Sequence, residues 1–311
     1  MITTHQPVMV DEVITYLITT PDGIYVDGTV GTGGHSVEIG KRIAPKGELI
    51  CLDVDRSSIE LAKKRLSPFG EMIKVVKESY VDLDKVLKRI GIDKVNGIFL
   101  DLGVSSYQLE SSGRGFSFAK DEPLDMRMNQ ESSMTASELV NNSSIERLQG
   151  LLRDYAQERW ARSIARAIVE ERRTGPITSS RQLSLLIETA VPAKYHYRKR
   201  HPATKTFQAL RIAVNKELEN IADFLEKAPL LLVKGGSLVV ISYHSLEDRL
   251  VKKAFHHWGK DNMYPRKLPV FPETRPPLMK ALSKKGLRPR QAEVNVNPRS
   301  RSAMMRVAER I

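Results

Sequence analysis

The sequence is poor in cysteine and has no long apolar run. Cys51 is the single cysteine among 311 residues, which excludes an internal disulfide and any zinc site built from cysteine ligands. No apolar stretch approaches the roughly 18–20 residues that a membrane-spanning helix needs. The opening segment MITTHQPVMVDEV lacks the basic start and the apolar centre of a secretory signal. We therefore expect a cytoplasmic protein without a membrane segment, with Cys51 buried in its core.

Acidic residues are almost missing from two stretches of the chain. Thr189–Lys216 contains seven lysines and arginines and no acid, and Thr274–Ala308 contains nine and a single acid, Glu293. The formal net charge is +12, although the hydrophobic share of 41% and the charged share of 28% are those of an ordinary globular protein. Such basic stretches indicate a polyanionic partner. The histidines show no metal-ligand spacing with acids, so we expect no metal site.

Short β-rich runs alternate with helical patterns in the first hundred residues. This alternation is typical of βαβ units and predicts a doubly wound, mostly parallel α/β sheet with helices on both faces. Thr204–Lys227 has apolar residues at steps of three and four, which predicts one long amphipathic helix. The predicted strands are Gly23–Gly28, Glu48–Asp53, Met72–Val76, Lys94–Leu102, Ser237–Tyr243 and Ala303–Ala308.

An all-helical insertion into this α/β fold is also predicted. No strand pattern interrupts Met134–Val191, and three capping-box pairs mark the starts of helices. The pairs are Thr135 with Glu138, Ser143 with Glu146, and Ser179 with Gln182. We expect residues 110–201 to form the inserted helical domain, and residues 1–109 and 202–311 to form the discontinuous α/β domain.

A glycine-rich turn follows the first predicted strand, in the segment YVDGTVGTGGHS. Gly28, Gly31, Gly33 and Gly34 allow the backbone to bend sharply and to approach a ligand, which the following helix N-terminus also favours. Asp53 ends the second strand 20 residues beyond Gly33, the spacing at which a carboxylate accepts hydrogen bonds from ribose hydroxyls. The turn therefore predicts a nucleoside-containing cofactor.

Asp27, at the end of the first strand, distinguishes between two such cofactors. An acid at this position would repel a pyrophosphate but could hold the ammonium group of a methionine moiety. The residues thus favour S-adenosylmethionine over a nicotinamide dinucleotide. Thr29 departs from the pattern D-x-G-x-G-x-G, and the glycines alone leave the choice open.

Polar residues follow two later strands and are candidates for catalysis. Asp101 and Ser105 lie at the end of the fourth strand, where open α/β sheets bind ligands, and Asp101 could hold the hydrogens of an amine acceptor. His244 follows the late strand and is a candidate for substrate contact or proton handling. Ser245 with Asp248 would equally make a plain helix cap there.

Several blocks together closely resemble one family over essentially the whole chain, from His5 to Glu309. The blocks are VDGTVGTGGHS, CLDVD, FLDLGVSSYQL, RGFSF, PLDMRM, HPATKTFQALRIAVN, ISYHSLEDR and NPRSRSAMMRVAE. They resemble the bacterial 16S rRNA cytosine-N4-methyltransferases of the MraW/RsmH type. The resemblance implies a class I S-adenosylmethionine-dependent fold with an inserted helical substrate domain. It also implies methylation of the exocyclic N4 of a decoding-centre cytidine in small-subunit rRNA.

The resemblance assigns cofactor contacts position by position. They fall on Gly33, Gly34, His35, Asp53, Tyr80, Asp101 and Gln108. Tyr80 stands where other members commonly carry Phe, which keeps an aromatic ring for the adenine side of the pocket. If Asp101 contacts the cofactor, its role toward the amine is open, and it could serve both.

Candidate RNA contacts come from the two basic stretches. They are Arg198, Lys199, Arg200, Lys205, Lys284 and Lys285. Three other interpretations stay open: a methyltransferase for tRNA or DNA, a non-catalytic RNA-binding assembly factor, and a nicotinamide-dependent oxidoreductase.

Overall fold

The chain forms two compact units. The computed structural model describes residues 7–196, 201–259, 277–283 and 285–311. The sheet unit comprises Met1–Gly103 and Leu218–Ile311, and the helical unit comprises Val104–Glu217. Across the described ranges, no helix has both the length and the apolar composition needed to cross a bilayer.

A seven-stranded sheet organises the sheet unit. Its strands are β1 (Ile24–Asp27), β2 (Glu48–Asp53), β3 (Ile73–Lys77), β4 (Val95–Asp101), β5 (Leu232–Ser242), β6 (Met279–Ala281) and β7 (Met304–Arg310). Their spatial order is β3-β2-β1-β4-β5-β7-β6. The first five strands pair in parallel, and β7 runs antiparallel to both of its neighbours. The predicted doubly wound, mostly parallel α/β fold is confirmed.

Residues that alternate along the strands feed two separate apolar cores. In β2, Ile50 and Leu52 belong to one core, whereas Leu49 and Cys51 belong to the other. Successive side chains of a strand point to opposite faces, so the two cores lie on opposite faces of the sheet. Cys51 has no exposed surface, and its predicted burial is confirmed.

Apolar residues of the helices complete both of these cores. One core includes helical residues such as Val13, Ile39 and Ile59, and the other includes Leu87 and Phe224. The helices of the sheet unit are Val10–Leu17, Gly34–Ile43, Arg56–Leu66, Leu83–Arg89, Glu217–Lys227, Ser245–Trp258 and Gln291–Val296. The first residue of the fifth helix, Glu217, is counted with the helical unit. The three-residue strand β6 was not predicted, because the basic, proline-rich stretch before it carries no alternating pattern.

The helical unit packs six helices around its own apolar core. The helices are Ser106–Glu110, Ala136–Asn142, Ile145–Ala156, Ala161–Thr174, Ser180–Ala190 and Ala203–Asn215. Thr135 and Glu138 form the predicted capping box, and Ser179 accepts from the backbone N–H of Gln182. The prediction for Ser143 is wrong by one residue. Ser144 is the N-cap there and accepts from the N–H of Arg147.

The predicted long helix over Thr204–Lys227 is wrong, because Lys216 divides it in two. Lys216 has φ 51° and ψ 40°, in the left-handed region that ends a helix. Asn215 secures the break with its side chain, whose Nδ2 donates to the carbonyls of Arg211 and Met126. Arg211 also forms an ion pair with Glu217 across the break, with Nε and Oε1 2.8 Å apart. Apolar spacing alone could not reveal this interruption, since both segments keep the same period.

The helical unit extends further than the predicted insertion. Ala203–Asn215, which was assigned to the α/β domain, contributes Phe207 and Leu210 to the core of the helical unit. The compact unit therefore spans Val104–Glu217 rather than 110–201.

The left-handed Lys216 gives a direct test of the helix break. We expect Lys216→Gly to raise the free energy of unfolding by about 1 kcal/mol, because glycine adopts φ > 0 without the penalty of a Cβ. Denaturant unfolding measures the change. Lys63→Gly is the matched control within the regular helix Arg56–Leu66 and should lower stability by about 1 kcal/mol. Equal losses for both variants would show that the helix is continuous.

Candidate cofactor and catalytic site

The glycine-rich turn is built at the carboxyl end of β1. Gly31 and Gly33 have φ values of 51° and 84°, which side chains rarely adopt. The Val30 N–H donates to the carbonyl of Leu52 at 2.8 Å, which ties the turn to β2. The helix Gly34–Ile43 then starts directly after Gly33. The backbone donors of its first turn therefore lie beside the glycines.

Asp53 holds the turn from the end of β2. Its Oδ2 accepts from the Gly31 N–H at 2.9 Å, and its Oδ1 accepts from the Asp55 N–H at 2.9 Å. Burial raises the pKa of Asp53 to about 6. A carboxylate oxygen has more than one lone pair, so Asp53 can still accept a hydrogen bond from a ribose hydroxyl.

Asp27 lies beneath the same turn and has no exposed surface. Its Oδ2 accepts from the Ser36 hydroxyl at 2.5 Å, and its Oδ1 accepts from the Thr29 N–H at 3.1 Å. Burial raises the pKa of Asp27 to about 6. The carboxyl group therefore stabilises the turn from inside, and no ligand can reach it directly in this conformation.

Asp101 connects three elements at the edge of the sheet. Its backbone N–H donates to Thr29 Oγ1 at 2.7 Å, which joins β4 to the glycine-rich turn. The Tyr243 hydroxyl donates to Asp101 Oδ1 at 2.8 Å from the end of β5. Burial raises the pKa of Asp101 to about 7, against the lowering effect of the Tyr243 hydrogen bond.

His35 faces the other oxygen of Asp101. His35 Nε2 lies 2.8 Å from the Val8 carbonyl, and a carbonyl only accepts, so this nitrogen carries a hydrogen. Nδ1 lies 3.6 Å from Asp101 Oδ2. Burial lowers the pKa of His35, which favours the neutral ring with a lone pair toward Asp101.

Tyr243 is a site residue that the sequence reasoning did not select. It ends the predicted strand Ser237–Tyr243, and the sequence pattern favours its neighbour His244 as the candidate. The informative feature is strand order: β5 pairs directly with β4, in the register Asp101↔Ile241. Tyr243, two residues after Ile241, therefore lies beside Asp101. Only the pairing of the strands reveals this position.

His244 occupies the N-cap of the helix Ser245–Trp258. Its Nδ1 accepts from the Glu247 N–H at 3.4 Å, and Glu247 Oε2 accepts from the backbone N–H groups of Tyr243 and His244. The predicted cap formed by Ser245 and Asp248 is wrong. Asp248 instead forms an ion pair with Arg306, with Oδ1 and Nε 2.6 Å apart.

Tyr80 lies close to the start of the glycine-rich turn. A Cβ at Gly28 would lie 3.0 Å from Tyr80 Cβ and 2.5 Å from Leu100 Cδ2, so a larger residue at this position would require these side chains to shift. The Tyr80 ring packs edge-on against Phe224, with centroids 5.5 Å apart. At the start of the helix Gly34–Ile43, a Cβ added to Gly34 would lie 3.4 Å from Pro7, so Pro7 packs closely against this position.

The remaining predicted residues lie elsewhere in the chain. Ser105 and Gln108 belong to the helical unit, where they form a complete capping box for the helix Ser106–Glu110. Lys205 Nζ donates to the Gln157 carbonyl at 2.9 Å, and Lys285 is exposed. Arg198, Lys199, Arg200 and Lys284 lie outside the described residues.

The groups assembled in the sheet unit suit a cationic ligand. Asp27, Asp53 and Asp101 surround the turn, and burial raises the pKa of each. Burial lowers the pKa of His35 among them, which favours its neutral form. Carboxylates stabilise a nearby cation and repel a pyrophosphate. The residues therefore fit a sulfonium-containing nucleoside better than a dinucleotide.

The raised pKa of Asp101 predicts a pH-dependent stability difference. Its folded pKa of about 7 lies above the ordinary value of 3.8, so ionisation costs native stability as pH rises from about 4 to 7. Asp101→Asn removes this cost. The variant should match the wild type near pH 4 and exceed its unfolding free energy by roughly 4 kcal/mol at pH 8.

Urea unfolding of both proteins across this pH range measures the difference. Tyr243→Phe is the companion variant, because it removes a hydrogen bond that lowers the Asp101 pKa. Its own loss of stability with rising pH should be larger than that of the wild type. If the free energies of unfolding of Asp101→Asn and wild type differed by a constant amount from pH 4 to 8, the raised pKa of Asp101 would be contradicted.

Known proteins resemble this chain over nearly its full length. "Ribosomal RNA small subunit methyltransferase H" of Syntrophus aciditrophicus is 46% identical over 307 residues, covering 99% of this chain and 98% of its own. The protein of the same name from Geotalea uraniireducens is 47% identical with the same coverage. A solved rRNA methylase from Streptococcus thermophilus covers 97% of this chain and 93% of its own, at 10% identity and a TM-score of 0.42, a likeness too low to carry an argument.

The family model agrees with these relatives. The model described as the MraW methylase family matches residues 2–311. This match includes the glycine-rich turn, Asp53, Asp101 and Tyr243, and it spans both compact units. The chain belongs to the MraW methylase family.

Proposed function

We propose that this protein is a cytoplasmic S-adenosylmethionine-dependent methyltransferase acting on 16S rRNA. Its target is the exocyclic N4 amine of a decoding-centre cytidine. Membership of a methylase family and the name shared by the relatives support the reaction and the substrate class. The observation that carries the proposal is the position of Asp101, which joins the glycine-rich turn to Tyr243 at the carboxyl edge of the sheet.

The cofactor is held by the turn and by the strand ends around it. Gly31, Gly33 and Gly34 bring the backbone close to it, and Asp53 accepts from its ribose hydroxyls. The remaining proposed contacts are His35, Tyr80, Asp101 and Gln108. Asp27 acts through its field and by holding the turn, since its carboxyl group is buried. When bound, S-adenosylmethionine supplies an electrophilic methyl group on a sulfonium.

Asp101 acts on the amine that receives the methyl group. The exocyclic amine of cytosine is conjugated with the ring and is a weak nucleophile. An acceptor that holds its hydrogens orients the nitrogen lone pair. A carboxyl group whose pKa is about 7 is suited to accepting a proton near neutral pH. Ser105 and His244 are candidates for contact with the base, and capping hydrogen bonds hold both side chains.

The helical unit is proposed as the substrate domain. A cytidine within rRNA must be unstacked, or presented from a single-stranded loop, before its amine is accessible. The candidate phosphate contacts in this unit are Arg198, Lys199, Arg200 and Lys205, and the sheet unit adds Lys284 and Lys285. Their positive charge predicts RNA binding that weakens steeply with salt.

Methyl transfer from tritiated S-adenosylmethionine to purified RNA tests the proposed function. We expect label on 16S rRNA, recovered as N4-methylcytidine after nuclease digestion. Free rRNA and assembled 30S subunits are compared, with tRNA and DNA as alternative substrates. Label on tRNA or DNA alone would replace the substrate. Cofactor binding and RNA binding without transfer would favour an assembly factor.

Asp53 gives a separate test of cofactor binding. Asp53→Asn keeps an acceptor oxygen but removes the charge, and a charge-assisted hydrogen bond is worth roughly 1.5–3 kcal/mol. We expect calorimetric titration to show affinity for S-adenosylmethionine reduced about tenfold or more. Asp93→Asn, an exposed position before the amino end of β4, removes the same charge from the opposite edge of the sheet. If the two variants bind equally well, Asp53 is not a cofactor ligand.

A further inference from the structure

A cluster of aromatic and basic side chains lies in the helical unit, apart from every residue assigned above except Lys205. It consists of Arg159, Trp160, Lys194 and Tyr195, and we call it the aromatic–basic cluster. Arg159 and Trp160 follow Gln157, which ends the helix Ile145–Ala156 in the left-handed region with φ 49°. Tyr195 ends the short 3-10 helix that begins at Ala193.

The rings and cations of the cluster are in direct contact. The Trp160 and Tyr195 rings lie with centroids 5.3 Å apart. The Arg159 guanidinium carbon lies 5.4 Å from the Trp160 centroid and 5.5 Å from the Tyr195 centroid. Lys194 Nζ lies 5.4 Å from the Tyr195 centroid. One guanidinium thus covers two rings, and a second cation lies over one of them.

The rings of the cluster are half-buried, and its cations are exposed. Trp160 and Tyr195 are half-buried and pack against the core of the helical unit. The Trp160 backbone N–H donates to Glu158 Oε1 at 2.8 Å, so this buried acid holds the backbone at Trp160. Arg159 and Lys194 are exposed. The rings are therefore held in place while the cations face solvent.

One more lysine contacts the segment that leads into the cluster. Lys205 Nζ donates to the carbonyl of Gln157, two residues before Arg159. In the sequence, Arg198–Arg200 begin three positions after Tyr195, within the stretch Thr189–Lys216 that contains no acid. A purely structural cation–π contact at an exposed site contributes only about 0.5–1 kcal/mol and needs one cation. Here two cations, Arg159 and Lys194, lie over one pair of rings.

We propose that the aromatic–basic cluster binds single-stranded RNA, with an unpaired base stacked on the Arg159–Trp160–Tyr195 group and with Lys194 and Lys205 on the adjoining phosphates. Aromatic rings and guanidinium planes are the surfaces on which unpaired bases stack. Lysines neutralise the phosphates on either side. The choice of RNA as the ligand rests on the proposed function. The inference adds a binding site for that RNA beyond the reacting base.

Intrinsic fluorescence tests the stacking directly. The chain has two tryptophans, and Trp258 is buried in the core of the sheet unit. The Trp258→Phe protein therefore reports on Trp160 alone. We expect a 12-nucleotide single-stranded RNA to quench this fluorescence in a saturable manner. The same sequence as a duplex should quench it far less at equal phosphate concentration, because paired bases cannot stack on the rings.

Substitutions test the contribution of the cluster to affinity. The double variant Arg159→Gln with Tyr195→Ala should bind the single strand at least about tenfold more weakly. Tyr195→Phe keeps the ring and should bind within about twofold of wild type. Arg173→Gln is the charge-matched control, at the far end of the 14-residue helix Ala161–Thr174, about 20 Å away. It should also change affinity by less than about twofold.

The outcomes separate this inference from the proposed function. Unchanged affinity in the double variant, or no quenching of Trp160, overturns the inference, even if the wild type methylates 16S rRNA. An equal loss of RNA affinity in the double variant and in Arg173→Gln would mean that the cluster contributes only positive charge. That result also overturns the inference. Quenching and selective loss without methyl transfer to any RNA would support the inference and overturn the proposed function. Circular dichroism and S-adenosylmethionine titration of each variant confirm that the fold is intact.

Discussion

The contacts of Asp101 hold the carboxyl edge of the sheet together. Its N–H binds Thr29 Oγ1, and its carboxyl group takes the Tyr243 hydroxyl on one oxygen and faces His35 on the other. The glycine-rich turn, the end of β4 and the end of β5 are therefore joined through one residue. This arrangement depends on the strand order, because β4 lies between β1 and β5. Parallel strands end at the same edge of the sheet, so three distant segments meet there.

Burial of carboxyl groups sets the electrostatics of this edge. Asp27, Asp53 and Asp101 lie close enough to the interior that each has a raised pKa. Each ionised group costs native stability when nothing positive is nearby. A cationic ligand offsets that cost, so the same burial that destabilises the free protein favours binding of a sulfonium. The preference for a cation thus follows from the placement of acids rather than from a dedicated pocket for positive charge.

The helical unit follows a different rule. Four of its described helices begin at side-chain caps, including Ser105 with Gln108 and Thr135 with Glu138, and its core is separate from those of the sheet. Local hydrogen bonds fix where these four helices start, and apolar packing fixes the mutual arrangement of the helices. Loops and turns between the helices are then free to carry charged and aromatic residues. The aromatic–basic cluster occupies one such position, after the left-handed Gln157.

Local patterns in the sequence determined the α/β class, the glycine-rich turn, the helical insertion and the acids that end β1, β2 and β4. Each of these depends on neighbours within a few positions, so spacing and turn chemistry reveal them. The break at Lys216 and the pairing of Tyr243 with Asp101 were decided by the tertiary structure. Apolar periodicity is the same on both sides of Lys216, and a polar residue after a strand carries no mark of which strand lies beside it. Contacts between distant segments, such as the 142 positions that separate Tyr243 from Asp101, arise only when the strands take their order in the sheet.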